Sequence, residues 1–219
     1  NILPKAYGIV IGHELTKELL IRKYAQNSEK IFTVPFKASP KIIEQEDKAK
    51  SLPSLKFLNF PKKYLYYPSQ YAAHKNHRIL IDAIEYLDNK KYKDFGLVFS
   101  GSDRGNLNFL KEIVNKKKLS KKVIFMPFIS DEEVFSIFKN SFALAMPSYL
   151  GPGTLPTMEA MYIGTPLILP DFEFNKKFYS DSGLYYDAFD FESLANLIIK
   201  LDNQIYNRKE IILKAKNKY

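Results

Sequence analysis

The chain contains no cysteine. Disulfides, thiolate nucleophiles and cysteine-ligated zinc sites are therefore excluded. Such a chain fits a reducing cytoplasm without requiring one. Histidine is scarce too, with only His13, His74 and His77. The last two are three apart and would share a face if both lay in one helix. No HExxH-type pattern accompanies them, so metal ligation is the minority reading beside ordinary surface histidines. No apolar run approaches the ~20 residues that cross a bilayer as a helix. The opening Asn1-Ile2-Leu3-Pro4 has none of the features of a signal peptide and reads as an internal point of a longer chain. Zinc-finger and RRM signatures and basic helical stripes are missing, which argues against nucleic acid as a partner.

What is present suits a globular enzyme-sized domain. There are 219 residues, 46% of them hydrophobic. At ~150 residues per domain this is one full domain with some extra chain. The net charge of +9 suits an anionic ligand or surface. Its lysines cluster at Lys62-Lys63, Lys90-Lys91, Lys116 to Lys118 and Lys121-Lys122. Solvated helix ends explain most of these, because cations complement the dipole in a helix's last turn.

Hydrophobic periodicity alternates between strand and helix. Apolar runs predict strands at Tyr64 to Pro68, Phe95 to Ser100, Lys122 to Met126, Phe142 to Met146, Pro166 to Leu169 and Gly183 to Tyr186. Amphipathic stretches between them predict helices at Asn76 to Asp88, Leu107 to Leu119, Ser130 to Lys139, Leu155 to Ile163 and Asp190 to Leu201. Ser130 and Glu133 form a capping box, and Asp190 is an N-cap. Continuous apolar strands alternating with helices imply an α/β fold, a doubly wound parallel sheet of Rossmann-like type. The predicted organisation is a separate segment 1–36 (a strand, a helix and a strand), a linker or exposed hairpin at 37–63, the main domain at 64–205, and a C-terminal helix starting within 206–219. Ligands of such sheets bind in the loops beyond the carboxyl ends of the strands.

Four loops therefore carry the candidate residues. In Pro147 to Met161, PSYLGPGTLPTMEAM, Gly151 and Gly153 sit in a strand-to-helix turn with Thr154 and Leu155 at the helix start. Glycine admits close approach, and helix N–H groups attract an anion. Glu159 lies one turn further on. It suits hydrogen bonds from vicinal hydroxyls such as a ribose, or is simply a solvated first-turn carboxylate. In Tyr67 to His77, YPSQYAAHKNH, Lys75 falls at the start of a helix, where a cation opposes the dipole unless a diphosphate pairs with it. Asn76 or Ser69 would cap that helix. Gly101 opens a third loop, in which Asp103 supplies ordinary turn chemistry. Phe128 and Ile129, in the fourth, would flank a base ring or pack.

The order and spacing of these blocks, with Gly101-Ser102, Pro127 to Ser130, Gly164 to Ile168 and Ser182 to Tyr186, resemble the group 1 (family GT4) glycosyltransferases. The resemblance covers most of the chain. It implies one half of a GT-B fold: the nucleotide-sugar-binding domain, with 1–36 as the end of the acceptor-binding domain. It also implies transfer with retention from a nucleoside-diphosphate sugar to a glycan or lipid-linked acceptor, without metal or other cofactor. By position, Lys75 matches the diphosphate-holding lysine and Glu159 the ribose-binding glutamate. Thr154 and Leu155 match the phosphate-contacting helix start, and Phe128 and Ile129 fall where the base is held. Two positions depart from the pattern. Gln70 replaces the usual arginine five residues before Lys75. Gly151 replaces the first glutamate of the pair, which commonly contacts the transferred sugar. A subgroup with Gly-Pro and His-Lys-Asn-His in these loops is similar and points to surface polysaccharide synthesis (O-antigen, lipopolysaccharide or capsule). The expected location is the cytoplasm, with at most peripheral association at the inner membrane face. A non-catalytic nucleotide-sugar-binding module and a GT-B sugar-nucleotide epimerase are the alternatives.

Overall fold

The computed structural model describes residues 5–48, 61–149 and 155–219. Near its N-terminus, β1 (Ile9–Ile11) and β2 (Ile31–Thr33) pair in parallel, Ile9 opposite Ile31. Helix α1 (Glu14–Tyr24) connects them. It is capped by His13, whose Nδ1 accepts from the Leu15 N–H at 3.0 Å, and it stops at Ala25 in the left-handed conformation. This is the strand–helix–strand pattern predicted for 1–36.

The segment predicted as a linker or exposed hairpin departs from expectation. Pro40–Lys48 forms helix α2, and Ile42 is completely buried. Its Lys41 reaches Asp131 at 3.7 Å, and the Tyr162 hydroxyl donates to Glu46 at 2.5 Å. A helix that buries an isoleucine and is tied at two points is a docked element, not a spacer. Proline at its first position fits, because the missing N–H has no helical partner there.

The main sheet has six strands: β3 (Lys63–Pro68), β4 (Phe95–Ser100), β5 (Val123–Met126), β6 (Ala143–Ala145), β7 (Leu167–Pro170) and β8 (Gly183–Tyr186). They lie in the order β5-β4-β3-β6-β7-β8, every pair parallel. Both faces are covered, so the strands are apolar throughout: Leu65, Tyr66, Leu97, Val98, Phe99 and Leu144 have no exposed surface. The covering helices are α3 (His77–Asn89), α4 (Leu107–Lys116), α5 (Asp131–Asn140), α6 (Leu155–Ile163), α7 (Glu173–Tyr179), α8 (Phe191–Asp202) and α9 (Arg208–Lys218). The Ser130–Glu133 capping box opens α5 with both reciprocal bonds made. Asp190 caps α8 through the Glu192 N–H at 2.7 Å.

Several clustered lysines are ion-paired rather than merely solvated. Lys63 binds Asp202 at 2.6 Å, Lys122 binds Asp88 at 2.8 Å, and Lys117 spans Asp82 and Glu85. No helix among the described residues is long and apolar enough to cross a membrane.

Candidate functional site

Renumbered from β3, the strand order is 3-2-1-4-5-6, so the winding reverses between β3 and β6. The loops beyond these two strands lead away in opposite directions, which leaves a crevice at their carboxyl ends. A cavity of about 230 Å³ occupies it. One wall is Ser69 and Gln70 after β3 and Ser100 to Ser102 at the end of β4. Phe128, Ile129 and Asp131 come from the β5–α5 connection, and Glu159 closes the cavity from α6, across the reversal. A neighbouring cavity of about 480 Å³ shares Gly101, Ser102 and Phe128 and extends to Tyr71, Asp103 and Lys111.

Glu159 is 7% exposed. The reading of it as a solvated first-turn carboxylate therefore does not hold. Burial pushes its carboxyl up to about 7, Asp131 adds to the rise, and the Ser39 backbone opposes it. A buried carboxyl with no ion-pair partner among the described residues is suited to accept hydrogen bonds from a neutral polyhydroxyl group. Asp131, the first residue after the Ser130 cap, is the site residue that sequence reasoning missed.

Phe128 and Ile129 divide as side chains of different kinds. Ile129 is half-buried and packs on the core. Phe128 is 86% exposed and stands between the two cavities. Gly101 has a structural reason beyond ligand approach. A Cβ there would lie 2.3 Å from the Ser69 carbonyl oxygen, at φ +156°. Its N–H is also already engaged, with the Met126 and Pro127 carbonyls at 3.3 and 3.2 Å. The Asp103 carboxylate accepts from the N–H groups of Gly105, Asn106 and Leu107 at 2.8–3.2 Å. These bonds, Leu107's foremost, hold it below the usual carboxylate range. This is the turn chemistry predicted.

The β3–α3 connection differs from expectation in three ways. Lys75 is the last residue of a short 3-10 turn (Ala73–Lys75), not the first of α3. It is half-buried, lies outside the lining of the 230 Å³ cavity, and has no ion-pair partner among the described residues. Asn76 does occupy the N-cap, in the left-handed conformation at φ 52°, but its side chain makes no capping bond. The N-cap of α3 thus lacks its own side-chain bond, and Lys75 is the preceding residue. Finally, His74 and His77 do not share a helix face. His74 is exposed in the 3-10 turn, whereas His77 opens α3 and is 1% exposed. Its ring sits among Tyr67, Tyr71 and Phe99, centroids 4.8, 5.4 and 5.1 Å away. Burial, aided by the Lys75 charge and opposed by the Ser69 backbone, pushes it down to about 4. It is a neutral core residue that seats the loop, not a surface histidine.

Leu155 is the first residue of α6 and half exposed. Gly151, Gly153 and Thr154 lie outside the described residues. The structure thus gathers Gln70, Gly101, Phe128, Ile129 and Glu159 around one cavity, and Lys75 is not among its lining residues.

The model of the family "Glycosyl transferases group 1" matches residues 54–218. O-antigen chain mannosyltransferase B of Escherichia coli is 22% identical over 199 residues, covering 90% of this chain and 52% of that protein. The chain thus spans about half the length of this curated relative. Among solved structures, Anabaena HepE in complex with UDP superposes with a TM-score of 0.76 at 16% identity, covering 99% of this chain and 59% of that one. WaaG, a glycosyltransferase involved in lipopolysaccharide biosynthesis, superposes with a TM-score of 0.74 at 15% identity, covering 95% and 57%. These structures share the fold, a Rossmann-like half of a GT-B glycosyltransferase. With the family match spanning three quarters of its length, the chain belongs to the group 1 glycosyl transferases.

Proposed function

We propose that this chain is the nucleotide-sugar-binding side of a retaining glycosyltransferase that builds surface polysaccharide from a glycan or lipid-linked acceptor. The observation that carries the reading is the buried Glu159, aimed into a cavity at the winding reversal of the sheet. Its carboxylate accepts the two ribose hydroxyls of the donor, and exposed Phe128 flanks the base. Lys75 and the backbone N–H groups at the start of α6 neutralise the departing diphosphate, without calling on a metal. This is electrostatic stabilisation of the leaving group. The UDP complex of HepE supports a diphosphate donor. The mannosyltransferase relative and WaaG support a polysaccharide or lipopolysaccharide product. The proposed location is cytoplasmic, peripheral at the inner membrane face.

Calorimetric titration with UDP-, GDP- and ADP-sugars tests the donor site; saturable binding of one is expected, and none would discard the reading. In the intact enzyme, Lys75→Ala should slow transfer by about a hundredfold or more. Wild-type turnover and donor affinity in that variant would remove Lys75 from the mechanism. Gln70 and Gly151, standing where the family carries arginine and glutamate, favour a second reading, a non-catalytic binding module. Release of labelled sugar from the bound donor excludes it.

A further inference from the structure

The donor cavity is walled by the ends of β3, β4 and β5 and, across the reversal, by Glu159 of α6. The ends of β6, β7 and β8 carry a further feature, outside that lining. Tyr149 follows β6, Phe172 follows β7 and Phe189 follows β8. The Tyr149 and Phe189 rings are stacked, centroids 5.9 Å apart and planes within 20°. Phe172 completes a triangle at 6.4 Å from Tyr149 and 6.2 Å from Phe189. None of the three belongs to the core. Phe189 is 77% and Tyr149 40% exposed. Single exposed apolar side chains are ordinary; three in mutual contact on adjacent strand ends are not.

The turn that presents Phe189 is built to hold it out. The Asp187 carboxylate accepts from the Phe189 N–H at 3.1 Å, and the Asp190 N–H donates to the Asp187 carbonyl at 3.0 Å. Asp190 then caps α8. These hydrogen bonds fix the backbone on both sides of an exposed ring.

We propose that this aromatic platform binds a sugar ring of the acceptor glycan, an assignment that rests on the transferase reading above. A pyranose offers a face of C–H groups to the negative face of an aromatic ring. Its hydroxyls seek acceptors, and carboxylates are near in the chain: Asp171 precedes Phe172, and Asp187 accepts from the Phe189 N–H. Charge separates this occupant from the others. The cations of α7 next to the platform are engaged, Lys176 with Asp171 at 3.2 Å and Lys177 with Glu173 at 2.9 Å. Exposed Asp187 and Asp190 remain. An acidic rim of this kind repels a diphosphate and an anionic lipid surface but accepts a neutral glycan. The location also fits. Strands lie ~4.8 Å apart, so the platform begins on the order of 5 Å and ends on the order of 15 Å along the edge from the β3 wall of the donor cavity. An acceptor held there is beside the donor and not on top of its nucleotide.

The test follows the Phe189 and Tyr149 ring resonances during titration with trisaccharides of mannose, galactose, glucose and N-acetylglucosamine. UDP-glucose, GDP-mannose and phosphatidylglycerol vesicles are titrated in parallel. At least one trisaccharide is expected to shift both rings. Phe189→Ala should weaken its binding about tenfold, and Phe189→Trp should keep it within about twofold of wild type. The proposal is overturned if no trisaccharide shifts the rings, if Phe189→Ala leaves trisaccharide affinity unchanged, or if Phe189 responds only to nucleotide sugars or to vesicles. Trisaccharide shifts without binding of either nucleotide sugar would sink the donor reading and leave a glycan-binding platform.

Discussion

Replacing Glu159 by glutamine separates a buried carboxyl from a solvated one. In the folded chain its carboxyl stands at about 7 instead of 4.5, chiefly because burial disfavours the charge. Between these two values the folded state binds the proton and the unfolded state has lost it. The associated stability is therefore full below about pH 4.5, falls as pH rises, and is gone above about pH 7. At 1.36 kcal/mol per pH unit this amounts to about 3 kcal/mol. Glutamine keeps the shape and does not titrate. For a domain of this size about 3 kcal/mol corresponds to roughly 6–12 °C in Tm. Thermal melts of both proteins near pH 4.5 and near pH 8 give a double difference in which all other titrating groups cancel. The variant should gain roughly 6–12 °C on wild type between the two conditions. An equal Tm difference at both pH values would refute the argument that Glu159 is desolvated. So would a variant that loses ground as pH rises.

Two further outcomes follow from the same geometry. If the ribose hydroxyls are accepted by ionised Glu159, donor affinity should tighten as pH rises through about 7 and then level off. Calorimetry in buffers of different ionisation heat should show proton release on binding below that point, and affinity flat from pH 5.5 to 8 would remove the ribose contact. Gly101→Ala forces a Cβ to 2.3 Å from the Ser69 carbonyl and should cost about 2 kcal/mol or more in urea denaturation; an unchanged midpoint would show that the two loops yield freely.

The six strands of the main sheet were readable because burial on both faces leaves uninterrupted apolar runs, as at Phe95 to Ser100. Caps at Ser130 and Asp190 were readable because their chemistry is local. Helix α2 was not, because many charges surround its buried anchor, Ile42, and Ser39-Pro40 reads as linker chemistry although Pro40 opens the helix. The burial of His77 escaped because Tyr67, Tyr71 and Phe99 close around it only when β3, its loop and β4 pack together, which helical periodicity does not register. Likewise, periodicity placed Glu159 on a helix, but only the packed chain shows that Asp131 and the Ser39 backbone meet it. The aromatic platform comes from three separate loops and has no sequence signature at all.

The pairing of β3 with β6 rests on two residue pairs, Leu65 with Ala143 and Tyr66 with Leu144, reinforced by the Phe142 N–H to the Tyr64 carbonyl. Its partners are about 80 residues apart, whereas β3 and β4 meet over a much shorter span. Pairings of long separation form late, since the intervening chain must be ordered first. The cavity has walls on both sides of this seam, so it comes into being only when the seam closes. Nucleotide-sugar binding therefore reports on completion of folding more stringently than helix content does. A fragment ending before β6 would hold three paired strands and their helices, yet no Glu159 to face them.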